Sequence, residues 1–144
     1  MRIADILENK GRTVYSIRLW KTVADVVTEL GRARVGALLV LDAHDTIAGI
    51  VSERDIVMAL GRHGSATLSL EVTEVMTRQV RTCTSDMLVA EAMAAMTAGR
   101  HRHLPVVDNG QVVGVVSIGD LVKHRLDEKE LEANVLLDIS RMHA

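Results

Sequence analysis

One stretch of this chain is written twice. Gly49-Ile-Val-Ser-Glu-Arg-Asp-Ile-Val57 returns as Gly114-Val-Val-Ser-Ile-Gly-Asp-Leu-Val122, so that Gly49 and Gly114, Ser52 and Ser117, and Asp55 and Asp120 each stand 65 positions apart. Both copies read as the end of a buried strand running into a helix that opens near the serine. The chain is therefore expected to fold as two versions of one unit. Neither half of a 144-residue chain is long enough to cover both faces of its own small sheet, so the halves are expected to pack sheet to sheet about a pseudo-twofold axis.

Hydrophobic periodicity fills in the unit. Ile3, Ile6 and Leu7 give residues 2–10 one apolar face, a short helix ending near Gly11, and residues 13–17 have strand character. Val23, Val26, Val27 and Leu30 recur at helical spacing behind Thr22, a candidate N-cap, with Gly31 near the stop. Residues 36–41 are an apolar run of strand length; residues 42–45 turn it back into 47–51, and a helix over about 54–61 follows. Residues 62–73 read as a linker from which Leu68 and Leu70 can dock on the core.

The second copy follows the same order. A short helix around Val72, Val75 and Met76 precedes a strand over 79–83 and a helix over 88–98 with Val89, Ala92, Met93 and Met96 inward. A strand over 104–107, a tight turn at Asp108-Asn-Gly110 and a strand over 112–116 complete it. Asp42 and Asp108 differ by 66 rather than 65, so the first hairpin carries one extra residue. Each copy reads βαββα, a mixed α/β (α+β) fold with repeat 1 over 1–66 and repeat 2 over 67–126. Residues 127–144 add a C-terminal helix whose sparse stripe, Leu131, Val135, Ile139 and Met142, has no partner in either repeat. That stripe is expected on a second subunit or across the repeat junction.

Composition limits the function. Phe is absent, Tyr15 and Trp20 are the only aromatics, and 48% of residues are hydrophobic, so an aliphatic core is expected rather than a disordered chain. Seventeen Lys and Arg against nineteen Asp and Glu leave a net charge of -2, which offers no footprint for general nucleic-acid binding. The single Cys83 rules out an internal disulfide and fits a reducing compartment. Acids near Met1 stand where a signal peptide needs an apolar run, and residues 35–41 are far too short to span a bilayer, so a cytoplasmic protein with no membrane contact is expected.

The repeated Ser-x-x-Asp admits two readings. It is close to a capping box, and capping alone would account for it. It also puts a carboxylate in the first helical turn, where an acid can accept both hydroxyls of a ribose while the serine and the helix N-terminus hold phosphate oxygens. The recurring Gly-apolar-apolar lead-in, which a cap does not require, favours the second reading. An enzyme is disfavoured, since no activated nucleophile, metal constellation or P-loop is present. His101 and His103 alternate on a strand without Cys or acid company, so a metal site is not expected. Cys83 reads as a structural strand residue, and Met87, Met93 and Met96 as core filling. Tyr15 and Trp20 are expected to cover the aliphatic core rather than stack on a base.

These stretches, together with Arg102-His-Leu-Pro-Val-Val-Asp-Asn-Gly-Gln-Val-Val-Gly before Val115, resemble the tandem cystathionine β-synthase (CBS) domain, or Bateman module, over nearly the whole chain. The resemblance is to its free-standing bacterial members. It implies a non-catalytic regulatory module, used in energy sensing, with clefts for AMP, ADP, ATP or NAD as ligand and no required cofactor. It further implies Asp55 and Asp120 as ribose-binding acids and Ser52 and Ser117 as hydroxyls on ribose or phosphate. Asp120 and Ser117 would work with Val35, Gly36, Ala37 and Val115, and Asp55 and Ser52 with Ile50, His101, Arg102 and His103. Arg100, Arg102 or His103 near one site, and Arg34 or Arg54 near the other, would meet phosphate charge. Lys21 and Met87 stand where the family often has a small polar contact. The resemblance also implies a homodimer, for which residues 54–60 and 121–126 supply apolar side chains, and an unidentified regulated protein. A ligand-free structural dimerisation module is the alternative.

Overall fold

A computed structural model of the chain describes residues 1–142. In order the elements are α1 (Ile3–Lys10), β1 (Ser16–Arg18), α2 (Val23–Ala33), β2 (Ala37–Leu41), β3 (Ile47–Ser52), α3 (Glu53–His63), α4 (Val89–Gly99), β4 (His103–Asp108), β5 (Gln111–Ser117) and α5 (Ile118–Met142). Two 3-10 segments, Gly64–Ser69 and Val72–Glu74, lie between α3 and α4. The chain forms two compact units, residues 14–81 and residues 1–13 together with the chain from Thr82 on.

In the unit of residues 14–81, β1 pairs parallel with β2 and β2 antiparallel with β3, in the register Leu39 to Ile50 and Val40 to Gly49. Helix α2 starts where Thr22 Oγ1 accepts the Asp25 N–H and Asp25 returns a carboxylate oxygen to the Thr22 N–H, a full capping box. Val23, Val26 and Leu30 then bury one face of α2 against Leu38, Val40, Val51, Ile56 and Val72. The 42–46 turn is tied by the Asp42 carboxylate, which accepts the N–H groups of His44 at 2.8 Å and Thr46 at 3.0 Å.

In the other unit β4 and β5 pair antiparallel, Leu104 to Val116 and Val106 to Gly114. Asn109 and Gly110 take φ of 52° and 76°, the two left-handed positions of a type I′ hairpin turn, as the Asp-Asn-Gly signal predicts. The core joins Val89, Ala92 and Met96 of α4 with Leu104, Val106, Val116 and Leu121, and Ile3, Ile6 and Leu7 of α1 complete it. Cys83 is buried in the same cluster, and burial pushes its thiol up to about 11, as fits a packing residue.

Several expected boundaries move. The strand expected over 13–17 is realised at Ser16–Arg18. The strand expected over 79–83 shrinks to one parallel bridge, Cys83 to Val106, because the Val80 N–H turns back to Arg78 O and is lost to any ladder. Helix α2 stops at Ala33, two residues past Gly31 and near where it is expected to. Arg34 then takes the left-handed conformation at φ 56°, as Arg100 does after α4 at φ 55°. The expected linker is largely ordered: Leu70 packs on the core and Thr67 is fully buried, donating to Ala59 O at 3.1 Å, while Leu68 stays exposed. Trp20 is 55% exposed, and only Tyr15 of the two aromatics packs on the core. The C-terminal helix is not a separate element, since α5 runs unbroken from Ile118 to Met142. Residues 143–144 of that predicted segment lie outside the described residues.

The short leading helices are exchanged relative to chain order. Residues Val72–Glu74 sit in the unit of residues 14–81, where Val72 N–H donates to Lys21 O and Val23 N–H to Leu70 O, both at 2.9 Å. Helix α1 docks by the same pattern in the other unit, with Ile3 N–H on Met87 O at 2.9 Å and Val89 N–H on Met1 O at 3.0 Å. This docking explains the repeated glycine. A Cβ on Gly49 would lie 2.7 Å from Met76 Sδ and 2.8 Å from Thr77 O, and one on Gly114 would lie 2.6 Å from Leu7 Cδ2.

Candidate functional site

Both Ser-x-x-Asp stretches fold as capping boxes, at the N-termini of α3 and α5. Asp55 Oδ2 accepts the Ser52 N–H at 2.9 Å and the Ser52 hydroxyl at 3.1 Å, and the Asp55 N–H returns to Ser52 Oγ at 3.4 Å. Asp120 Oδ2 accepts the Ser117 N–H at 2.8 Å, and the Asp120 N–H returns to Ser117 Oγ at 3.1 Å. The capping geometry that the sequence suggests is therefore present at both positions. It uses one oxygen of each carboxylate and leaves the other for something else.

What meets each acid differs between the units. Asp55 Oδ1 accepts a hydroxyl, Thr77 Oγ1, at 3.3 Å. Asp120 meets an ammonium: Lys10 Nζ, at the end of α1, lies 2.7 Å from Asp120 Oδ2 and donates to Val115 O at 2.7 Å. Asp120 Oδ1 has no hydrogen bond among the described residues. Burial raises the Asp120 carboxyl, but the Lys10 ammonium and the Ser117 donors outweigh it and hold the group below the ordinary aspartate value.

The stretches leading into β2 and β4 lie against these helix starts. Gly36 O accepts the Glu53 N–H at 3.0 Å, and Arg102 O accepts the Ile118 N–H at 2.8 Å, so each satisfies a first-turn donor. Ala37 pairs with Ser52, and His103 with Ser117. Within one unit the structure thus brings Gly36, Ala37, Ser52 and Asp55 together, and within the other Arg102, His103, Ser117 and Asp120. The family resemblance implies that each acid works with the strand lead-in of the other copy; inside each unit the helix start that carries the acid lies against the lead-in of its own copy. Ile50 and Val115 are half-buried strand residues whose carbonyls accept Thr77 N–H and Lys10 Nζ, at 2.8 and 2.7 Å. Val35 and His101 are half-buried, directly after the left-handed Arg34 and Arg100, which are exposed like Arg54 and Arg102.

Lys10 and Thr77 were not legible as site residues. One signal could have found them: Ile3, Ile6 and Leu7 share the 3, 4 spacing of Val72, Val75 and Met76, which marks residues 1–10 and 70–79 as a second repeated feature. Among the described residues no group of three His, Cys, Asp or Glu side chains is placed to hold a metal ion, and no helix is long and apolar enough to cross a membrane.

The fold and site define a tandem α/β repeat with a carboxylate at the first turn of the last helix of each copy. A family model described as the CBS domain matches residues 21–62 and 72–127, and the chain belongs to the CBS-domain family as a tandem pair. It is 34% identical over 92% of its length to the Arabidopsis thaliana CBS domain-containing protein CBSX3, mitochondrial, covering 71% of that protein. A CBS-domain protein from Burkholderia ambifaria MC40-6 is 40% identical, with a TM-score of 0.84 over 88% of this chain and 95% of the other. A CBS-domain containing protein from Agrobacterium tumefaciens is 37% identical, with a TM-score of 0.84 over 86% of this chain and 92% of the other. CBS-pair proteins are generally regulatory and typically non-catalytic modules.

Proposed function

We propose that this chain is a sensor module that binds an adenosine-containing nucleotide, AMP, ADP, ATP or NAD, through Asp55 and Asp120, and passes the signal to a regulated protein. The supporting observation is that each capping box occupies one carboxylate oxygen and leaves Oδ1 to face other groups, with Asp120 Oδ1 unbonded among the described residues. A carboxylate so held is oriented by the backbone and can accept ribose hydroxyls, beside a helix N-terminus that favours phosphate. Ser52, Ser117, Ile50, Val115 and the segments 35–37 and 100–103 line these acids in the reading that the family resemblance implies. Regulation needs unequal affinity of the ligand for two states of the protein, since equal binding shifts no population. A buried lone Cys83 supports work in a reducing compartment such as the cytoplasm.

Thermal denaturation and calorimetry with the four ligands test this. A binding ligand at about a hundred times its Kd stabilises the fold by about 2.7 kcal/mol, and Asp55→Ala and Asp120→Ala should each remove one site's share. Flat titrations with every adenosine compound would overturn the proposal.

A structural homodimerisation module is the second reading, favoured by the completeness of both capping boxes. On that reading the same substitutions cost about 0.5 to 2 kcal/mol of stability and no ligand is bound.

A further inference from the structure

We infer that Lys10 makes the Asp120 site selective for a ligand carrying a 5′-phosphate, whereas the Asp55 site draws no such preference from its own unit; this rests on the nucleotide-binding reading above. Both acids close a capping box with the serine three positions before, and the larger difference between them lies in what each leading segment brings. At Asp55 the leading segment supplies neutral groups: the Thr77 N–H takes the Ile50 carbonyl at 2.8 Å and the Thr77 hydroxyl takes Asp55 Oδ1 at 3.3 Å. At Asp120 the Val115 carbonyl, counterpart of Ile50, is taken instead by the Lys10 ammonium, which also contacts Asp120 Oδ2 at 2.7 Å. A neutral contact in one unit is a full positive charge in the other.

The geometry fits a charge that serves a ligand as well as the fold. An ammonium has three N–H donors. Two of those on Lys10 are spent, on Val115 O and Asp120 Oδ2, and the side chain remains 37% exposed, so the third is available to an anion without breaking either bond. Helix α1 fixes the stem, because Ile3, Ile6 and Leu7 are buried and Gly11, at φ 99°, ends the helix one residue later. Paired with Lys10, Asp120 presents no net charge to an approaching phosphate, while its unbonded Oδ1 can still accept a sugar hydroxyl. Glu53 and Arg54 precede Asp55 in the first turn of α3, and no cation contacts the Asp55 carboxylate among the described residues.

The test is calorimetric titration of the full chain with AMP and with adenosine, in an Asp55→Ala background that leaves only the Asp120 site. Lys10→Met should weaken AMP about tenfold, the loss of one charge-assisted hydrogen bond, and leave adenosine within about twofold. Lys10→Arg, which keeps the charge, should retain most AMP affinity and controls for the docking of α1. Equal weakening of both ligands, or no change in either, would overturn the role of Lys10 while nucleotide binding stands. Failure of adenosine and AMP to bind in any background would remove both conclusions.

Discussion

The Asp120 carboxyl is held below its ordinary value in the folded chain, and that shift makes the stability it contributes sensitive to pH. Burial alone would raise the carboxyl, but Lys10 and the Ser117 donors hold its folded value below the ordinary 3.8. The stabilisation this provides is complete above the unfolded value and is lost as pH falls through the lower folded one. The stability gap between the wild type and Asp120→Asn, followed by urea unfolding, should be about 0.5 to 2 kcal/mol at pH 7 and should close below about pH 4. A gap that stays constant through that range would show that the charge of Asp120 does not stabilise the fold.

At the scale of elements, the strand glycines are set by the leading segments docked on them. Gly49 would place a Cβ against a backbone carbonyl, Thr77 O, as well as Met76, whereas Gly114 would press only on the tip of Leu7. Backbone yields less readily than a side-chain tip, even one as buried as Leu7. Gly49→Ala and Gly114→Ala should both destabilise, by about 1 to 3 kcal/mol, with Gly49→Ala the worse. Gly31, inside α2 with open space around its Cα, should respond in the opposite sense, Gly31→Ala stabilising by about 0.5 to 1 kcal/mol. Chemical denaturation of the three variants reads this ordering directly. The same elements explain why both left-handed arginines recur: Arg34 and Arg100 each follow the last turn of a helix that must reverse into a strand, and each cap N–H reaches back to the helix, to Leu30 O and Met96 O.

For the whole molecule, the proposed homodimer has candidate surfaces. Val57, Met58 and Leu60 on α3 are 65%, 51% and 43% exposed, and Val122 and Leu126 on α5 are 41% and 64% exposed. Apolar groups at that exposure on neighbouring helical turns are what a self-complementary twofold interface uses. Light scattering at micromolar concentration should give the mass of a dimer, and Val57→Asp should shift it toward the monomer with little loss of intrinsic stability, the side chain being mostly in water. A monomeric wild type would end the dimer proposal.

Much of this was readable from residues alone. The 65-residue spacing established two copies, aliphatic periodicity placed α1, α2 and α4 to within a few residues, and Asp108-Asn-Gly110 specified its own turn, because each of these depends on neighbours in sequence. The capping boxes were legible for the same reason, as serine and aspartate three apart satisfy each other locally. Tertiary structure decided which leading segment docks in which unit, and with it why Gly49 and Gly114 must be glycine. It also decided that an ammonium 110 positions away in sequence meets Asp120 while a hydroxyl 22 positions away meets Asp55. Contacts of that kind rest on where the chain crosses in space, and hydrophobic pattern carries no record of it.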